Sequence, residues 1–467
     1  MRRRFRLLVM LLCCAVLLTA YVSIGDQEAT SEDTTEQAED TSYFMLYEDQ
    51  ISDLNSITVQ PKEEDSYTLL SDMGFDDNGN LLGVYNALGQ PFVVEGNEDF
   101  TLNSTAWQMM IVCAQYIPAT ASYPALDRDA CGLTDPDAVM TILHKDGTSR
   151  KIQIGHKTSD GVSCYLSMDG DTNVYLVPYD LYDTVCKPLK EHHTLPASIT
   201  EDTSDAVQIA LVGSEDGQLI FTKGSTDNSV LSWHASSPLT HDGDTTRINA
   251  FIEGLCAISA EHYVTTVSDM DGLAQYGLDQ PKRLIASFQD GTIRDIHIGN
   301  DAGNGTVYVR MDKTGDIYTI SRTQIAFAGN AGLNTLLDRY VALIPVYSIH
   351  QALVHTKDAD YLLGIEYEND DDNLGQAWSL NGHSLTQDQF SSCYASIIGL
   401  SFSKSAMNEM GGDLLAEITF TYRTGEAETV TYQTYDDYYT LAVTSGGGRF
   451  LVRLTEVQKM LGTLESY

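Results

Sequence analysis

Alternating apolar and polar positions predict the same pair of β-strands in two parts of the chain. Residues 139–143 and 284–288 each form a short alternating run, and each run leads into an Asp-Gly turn. Asp-Gly between two such runs is a strong hairpin signal, because both central turn positions favour a positive φ. The four turn residues are Asp146, Gly147, Asp290 and Gly291.

The two predicted hairpins are framed by matching residues. Each returning strand ends in Ile-x-Ile-Gly, with the same spacing from the hairpin glycine in both copies. A Gly-Leu-x-x-Pro segment precedes each hairpin. We interpret it as structural, with Gly supplying an unusual φ, Leu filling a core and Pro starting a strand, and a recognition loop is the alternative. The framing residues are Gly132, Leu133, Pro136 and Gly155 in the first copy, and Gly277, Leu278, Pro281 and Gly299 in the second.

A helix is predicted upstream of each hairpin and again in a third region. In three segments, apolar side chains recur at i, i+3, i+4 and i+7, which is typical of an amphipathic helix. These segments are residues 107–114, 248–255 and 390–397. Thr386 and Gln389 form a capping box before the third helix. Four strands are predicted within 416–454 and a closing helix at 455–461, but the Gly-Leu-x-x-Pro segment is missing there.

This repetition predicts an α+β chain of three tandem related units, each built from antiparallel hairpins with short packing helices. The predicted boundaries are 43–195 for unit 1, 203–345 for unit 2 and 346–467 for unit 3, which is a degenerate copy. Short helical segments are expected at 179–185 and 322–327, after the last strand of units 1 and 2.

The N-terminal residues differ from the rest of the chain. Four arginines within residues 2–6 precede an uncharged, mainly apolar run from Leu7 to Ile24. A run of about 18 residues is just long enough to span a membrane, and positive charges stay on the cytoplasmic side. We therefore predict a single-pass signal anchor at 1–25 in the cell membrane, with the bulk of the chain extracytoplasmic. Cleavage near residues 23–25 is the alternative. Residues 26–42 are acidic and polar, which predicts a disordered linker.

The charge of the chain narrows the functions it can have. It carries 66 acidic and 27 basic residues, for a formal net charge of −39. Such a charge repels phosphate backbones and argues against nucleic-acid binding. The six cysteines beyond the anchor are too sparse for a disulfide scaffold, and we expect mainly buried free thiols.

No segment carries a recognised catalytic or cofactor motif, so we predict no catalytic residue, no cofactor and no metal site. His192 and His193 lack the companion ligands of a zinc site and are placed in an inter-unit linker. Residues 169–173 begin like a calcium loop but lack its later ligands, which favours a polar hairpin tip. Residues 445–449 are predicted to form a hairpin turn. The 26 tyrosines suit strands, and stacking on sugars or on a partner is the alternative.

The Gly-Leu-x-x-Pro segments, Asp-Gly hairpins and Ile-x-Ile-Gly strand ends resemble the bacterial family called Domain of Unknown Function 4340. The resemblance covers residues 1–345, and 346–467 by internal analogy. The family looks like membrane-anchored extracytoplasmic proteins, some of them similar to auxiliary components of ABC transport systems of the gliding-motility type. This implies a non-enzymatic structural or interaction protein, with transporter permease subunits or other envelope proteins as partners. A module that binds envelope glycan or another ligand is the alternative, and an uncharacterised hydrolase is the third.

Overall fold

The computed structural model describes residues 43–214, 217–224, 231–267, 269–312, 315–368 and 375–467. The predicted signal anchor at 1–25 and the predicted linker at 26–42 lie outside these residues. Within the ranges described, no helix has the length and apolar character needed to cross a membrane. The described chain is α+β, as predicted, and its strands form three large antiparallel sheets and two small ones.

The first large sheet lies in unit 1. The elements of this unit are β1 (Phe44–Met45), β2 (Leu54–Pro61), β3 (Tyr67–Ser71), β4 (Met73–Phe75), β5 (Leu81–Val84), β6 (Phe92–Val94), α1 (Ser104–Gln115), β7 (Pro118–Ala119), β8 (Ala121–Tyr123), β9 (Ala138–His144), β10 (Ser149–Lys157), β11 (Ser163–Met168), β12 (Val174–Pro178) and α2 (Tyr179–Val185). The spatial order of the sheet is β6-β3-β2-β9-β10-β11-β12-β8. Strands β1 and β7 form one small sheet, and β4 and β5 form the other.

The second large sheet lies in unit 2. Its unit contains β13 (Ala206–Ser214), β14 (Gly217–Lys223), β15 (Trp233–Ser237), β16 (His241–Asp242), α3 (Thr245–Cys256), β17 (His262–Thr266), α4 (Met270–Ala274), β18 (Lys282–Phe288), β19 (Ile293–Gly303), β20 (Thr306–Met311), β21 (Asp316–Ser321), α5 (Ala326–Gly329) and α6 (Leu333–Leu336). The spatial order is β16-β15-β14-β13-β18-β19-β20-β21-β17.

The third large sheet lies in unit 3. This unit contains β22 (Ile349–His355), β23 (Asp360–Glu366), β24 (Ala377–Leu380), β25 (His383–Leu385), α7 (Gln387–Ile398), β26 (Phe402–Ser405), β27 (Leu414–Tyr422), β28 (Ala427–Thr434), β29 (Tyr439–Thr444), β30 (Arg449–Arg453) and α8 (Leu454–Glu465). The spatial order is β25-β24-β23-β22-β27-β28-β29-β30-β26. The four strands and the closing helix predicted in this region are thus confirmed as β27–β30 and α8.

One connectivity is repeated in all three units. A meander of strands is followed by a 12-residue helix, α1, α3 or α7, and the chain then adds a strand at the opposite edge of the sheet. A second meander of four strands fills the space between that edge strand and the first meander. Unit 3 keeps this order although it lacks the Gly-Leu-x-x-Pro segment. The order of the strands in the sheet therefore defines the repeat, and the Gly-Leu-x-x-Pro segment is not required for it.

The three long helices begin in the same way and pack on one face of their sheets. The N-cap side chains of Asn103, Asp244 and Thr386 each accept a bond from the backbone amide three residues later, which satisfies one of the free helix N–H groups. The capping box predicted at Thr386 and Gln389 is confirmed. The helices cover a core in which β9, for example, buries every second residue. Units 2 and 3 share one continuous core.

The Gly-Leu-x-x-Pro residues lie on the other face of the sheets. Leu133 packs with Val174 in unit 1, and Leu278 packs with Ile317 in unit 2, each in a small separate apolar cluster. In unit 3, Ala406 packs in the corresponding cluster. Gly132 and Gly277 have φ values of 70° and 68°, which side chains rarely adopt.

The structure also explains the glycine that ends each Ile-x-Ile-Gly segment. A Cβ at Gly155 would collide with the carbonyl oxygen of Cys131, and one at Gly299 would collide with that of Tyr276. Glycine is therefore required where the second hairpin strand passes beneath the Gly-Leu-x-x-Pro segment. All six cysteines of the described chain are free thiols, and all are buried except the half-buried Cys186.

Candidate functional site

An open groove lies at one end of the unit 1 sheet, where the hairpins turn. Its volume is about 980 Å³. Three separate stretches line it: residues 48–53 before β2, residues 144–151 around the β9–β10 turn, and residues 168–171 after β11. The predicted Asp-Gly hairpin and the predicted polar hairpin tip at 169–173 therefore meet at one place, which spacing along the chain did not reveal.

The β9–β10 turn is fixed by its own side chains. Thr148 donates from its hydroxyl and its amide to the Asp146 carboxylate, at 2.6 and 2.8 Å. These two hydrogen bonds hold the pKa of Asp146 below its ordinary value, with the hydroxyl the larger cause. Gly147 has a φ of 86°, as the turn requires. Unit 2 repeats this arrangement with Asp290 and Thr292.

An ion pair with a supporting ring stands at the centre of the groove. Arg150 lies 2.9 Å from the Asp49 carboxylate, and His144 lies 3.5 Å from the same group. The guanidinium stacks over the ring of Tyr47 at 4.0 Å, a cation–π contact. Tyr47 is itself fixed, because its hydroxyl donates to the Cys113 carbonyl. The groove thus exposes to solvent both the Arg150 guanidinium, which is fixed in place, and several carboxylates.

Unit 2 has a buried arginine where unit 1 has the open groove. Arg294 occupies the position in β19 that Arg150 occupies in β10, since each lies two residues after the threonine of its Asp-Gly-Thr turn. Arg294 lies 3.0 Å from Asp312 and donates to the carbonyl of Ile258, and its side chain is buried. In unit 1, the guanidinium turns to Asp49 instead, which leaves Asp169 lining the groove.

This arrangement suits the binding of a polar ligand or a polar segment of a partner. Carboxylates, a guanidinium and two lysines offer many hydrogen bonds along the open groove. Within the part of the chain that the structure describes, no group of three or more His, Cys, Asp or Glu side chains is placed to hold a metal ion.

The two neighbouring histidines singled out in the sequence lie between units 1 and 2, as predicted, and both are buried there. His193 stacks on Tyr263 of unit 2, with ring centroids 4.0 Å apart, and meets Phe100 of unit 1 edge-on at 4.8 Å. Its side chain is 2% exposed and lies 3.7 Å from Asp316. Burial is the main cause that lowers the pKa of His193. The Leu-Pro sequence after these histidines indicated a linker and gave no signal of burial.

The remaining candidates lie apart from the groove. Residues 445–449 form the turn between β29 and β30, as predicted. The tyrosines do not form one surface, because Tyr432 is buried in the unit 3 core while Tyr438 is exposed.

A family model agrees with the repeats. The model described as Domain of unknown function (DUF4340) matches residues 97–281 and 233–405, which together cover more than half of the chain. The chain belongs to this family. Each DUF4340 match begins before a long helix, α1 or α3, and ends inside the following unit, so each contains one inter-unit junction. No curated protein and no solved structure matches the chain.

Proposed function

We propose that this DUF4340 protein is a non-enzymatic, membrane-anchored protein outside the cytoplasm that serves an ABC transport system through protein contacts. One observation carries the proposal. Of the 23 large apolar side chains exposed in the described chain, 13 lie in unit 1, and the other ten are spread over units 2 and 3. Concentrated exposed apolar side chains mark interaction surfaces. Unit 1 is also the unit next to the predicted anchor.

Four of these 13 side chains lie in the connection that contains the β4–β5 hairpin. The connection between β3 and β6 spans residues 72–91, whereas those at the same place in units 2 and 3 span only 224–232 and 367–376. Its exposed apolar side chains are Leu81, Leu82, Tyr85 and Leu88.

A clamp at the base of this hairpin keeps it in place. The Asp72 carboxylate accepts bonds from the amide of Asn86 at 2.6 Å, from the side chain of Asn86 at 2.9 Å and from the amide of Tyr85 at 3.1 Å. A pre-formed apolar hairpin loses little conformational entropy on binding, which favours its use as a contact.

The expected partner is an extracytoplasmic segment of a transporter permease. Such segments lie close to the membrane, as unit 1 does if the anchor is present. Pull-down of the full-length chain from detergent-solubilised membranes tests this, with Leu82→Asp as the variant and Met410→Asp as the control, since Met410 is also exposed but lies in unit 3. We expect permease subunits with the wild-type chain and the control, and their loss with Leu82→Asp. Recovery of no specific partner by the wild-type chain would contradict the proposal.

The polar groove supports a second candidate, binding of an envelope glycan or another polar ligand. Its mixed charges suit a hydroxyl-rich molecule better than an apolar one. Cell-wall fragments should then raise the melting temperature of the purified chain, and Arg150→Met should remove most of that rise. No shift with any fragment would refute this candidate. A hydrolase has less support, because His193 with Asp316 is closed to substrate.

A further inference from the structure

The two junctions between units are built by the same segment of each unit. This segment, which we call the donor loop, is the four residues before the N-cap of the long helix, 99–102 in unit 1 and 240–243 in unit 2. Its second residue packs on an aromatic ring in the edge strand of the next unit. Phe100 lies 5.6 Å from Tyr263 in β17, and His241 lies 6.0 Å from Phe402 in β26, between ring centroids.

The receiving unit presents a pair of rings. In unit 2, Tyr263 lies 6.2 Å from Tyr318 of β21, and in unit 3, Phe402 lies 4.4 Å from Phe450 of β30. We call these two rings the acceptor pair. The junction between units 2 and 3 adds a backbone hydrogen bond, 2.8 Å long, from the amide of Thr240 to the carbonyl of Gly446.

Unit 1 has an acceptor pair of its own. Tyr175 stands three residues before the N-cap of the following helix, as do Tyr318 and Phe450 in their units. Its partner ring is Phe44 of β1, at 6.4 Å, and Ser122, which pairs with Tyr175 in β8, carries no ring. Phe44 is 41% exposed, whereas Phe402 is 5% exposed under the donor loop of unit 2.

Other exposed apolar side chains adjoin this pair. Tyr43 and Met45 flank Phe44 in the chain, and Tyr123 in β8 pairs with β12 beside Tyr175; all three are exposed. The hairpin tip that matches Gly446 in unit 1 is Gly170. The two glycines match because each follows a residue, Asp169 or Ser445, whose backbone amide donates a hydrogen bond to the neighbouring strand in the same way.

Unit 3 has a donor loop at residues 382–385. His383 stands three residues before the N-cap Thr386, as His241 does before its own N-cap. Strand pairing gives the same match, since His241 pairs with Ala235 in β15 and His383 pairs with Leu380 in β24. His383 is exposed.

We propose that the donor loop of unit 3 in one copy of this chain packs on the acceptor pair of unit 1 in a second copy. His383 then lies over Phe44, as His241 lies over Phe402, and the Gly382 amide faces the Gly170 carbonyl. Such a contact joins two different surfaces. The copies therefore associate head to tail, in an open series unless the geometry closes a ring.

The charges at these surfaces favour the contact. A chain with a net charge of −39 repels its own copies, so self-association needs a surface without opposed carboxylates. The loop Gly382-His383-Ser384-Leu385 contains no acid, so it sets no carboxylate against Asp169 and Asp171, which flank Gly170. The aromatic rings of the acceptor pair beneath the loop supply the apolar surface that the contact buries.

The contact between copies is smaller than the internal junctions. In the junction between units 2 and 3, the chain after α6 also pairs along the next unit, with Tyr340 opposite Ser401. In unit 1, the place of that pairing chain is already taken by strand β1 of the same unit, which pairs with β7. We therefore expect association that depends on concentration, and not a permanent dimer.

Sedimentation velocity of the full chain in a mild detergent, over a hundredfold range of protein concentration, tests the proposal. The weight-average mass should rise from that of one chain towards two and beyond. Phe44→Asp and His383→Asp should each hold the mass at one chain, and Tyr438→Asp, which is 77% exposed on another surface, should not. Met45→Asp serves as a second acceptor variant if Phe44→Asp alters the circular dichroism spectrum.

Mixing the two variants decides between head-to-tail and symmetric association. The Phe44→Asp chain keeps an intact donor loop, and the His383→Asp chain keeps an intact acceptor pair. An equimolar mixture should therefore form dimers and nothing larger. A chain that stays monomeric at all concentrations, variants that associate like wild type, or a mixture that forms no dimer would each overturn the proposal.

Discussion

Lowering the pH should destabilise unit 1 through one buried histidine. His192 is 4% exposed, and its Nε2 atom has no hydrogen-bond partner in the described chain. Burial lowers the pKa of His192 from 6.5 to about 4, against a smaller raising effect from the Thr184 backbone. Lys187 and Asp183 are the nearby charges, and their effects on this pKa oppose each other.

The size of the effect follows from the two pKa values. Because the folded-state pKa lies below the unfolded value, the unfolded chain takes up the proton first as the pH falls. The contribution of His192 to stability is therefore complete above about pH 7 and is lost between about pH 6.5 and 4. Between pH 7 and 5 the loss is about 1.8 kcal/mol, and it approaches about 3.4 kcal/mol at lower pH.

Urea unfolding at pH 7 and pH 5, followed by tryptophan fluorescence, measures this loss. Trp107 reports on unit 1, since it lies in α1. The matched variant is His192→Phe, which keeps an aromatic ring but cannot take a proton. His193 and His241 titrate in both proteins, so their contributions cancel. We expect wild type to lose about 1.8 kcal/mol more than the variant between the two pH values. Equal losses in the two proteins would refute the reasoning.

Three further predictions concern the repeated framework, each measured by thermal or urea unfolding. Gly155→Ala should destabilise the chain by about 1–3 kcal/mol, because the new Cβ meets a backbone carbonyl. Gly462→Ala, on an open helix surface, should instead stabilise it by about 0.5–1 kcal/mol, and equal effects would contradict the collision. Leu133→Ala should cost about 2–5 kcal/mol, as expected for a buried leucine, and a cost near zero would show that it fills no core. Arg294→Met should cost about 1–3 kcal/mol, because the Ile258 carbonyl loses its guanidinium donor and Asp312 loses its cation; a neutral effect would contradict this reasoning.

The sequence predicted the strands and helices best where their formation depends only on residues close together in the chain. The Asp-Gly turns, the three long helices and the capping box at Thr386 depend on residues close together in the chain, and all of them are present. The units were recognised because glycine at 155 and 299 is required by a close backbone approach, which leaves a visible motif. In unit 3 a separate cluster of Ala406, Leu441 and Leu451 packs without the motif, so the motif disappeared while the sheet remained.

The sequence could not predict how the units fit together or where the groove lies. Strands β8, β17 and β26 are only three to five residues long, so they carry little alternation, and their place at the far edge of each sheet depends on distant partners. The burial of His193 is created by Phe100 and Tyr263, which come from two units. The groove combines three stretches of chain, and its opening depends on Arg150 turning towards Asp49.

We propose that unit 1 is the contact surface of a protein outside the cytoplasm, and photo-crosslinking in intact cells tests this most directly. A photoreactive amino acid would replace Leu82 in the β4–β5 hairpin of the full-length chain, with Met410 in unit 3 as the matched exposed position. Mass spectrometry would then identify the captured proteins. The account predicts transporter permease subunits at position 82 and not at position 410. Capture of no protein at position 82, or of the same proteins at both positions, would contradict it.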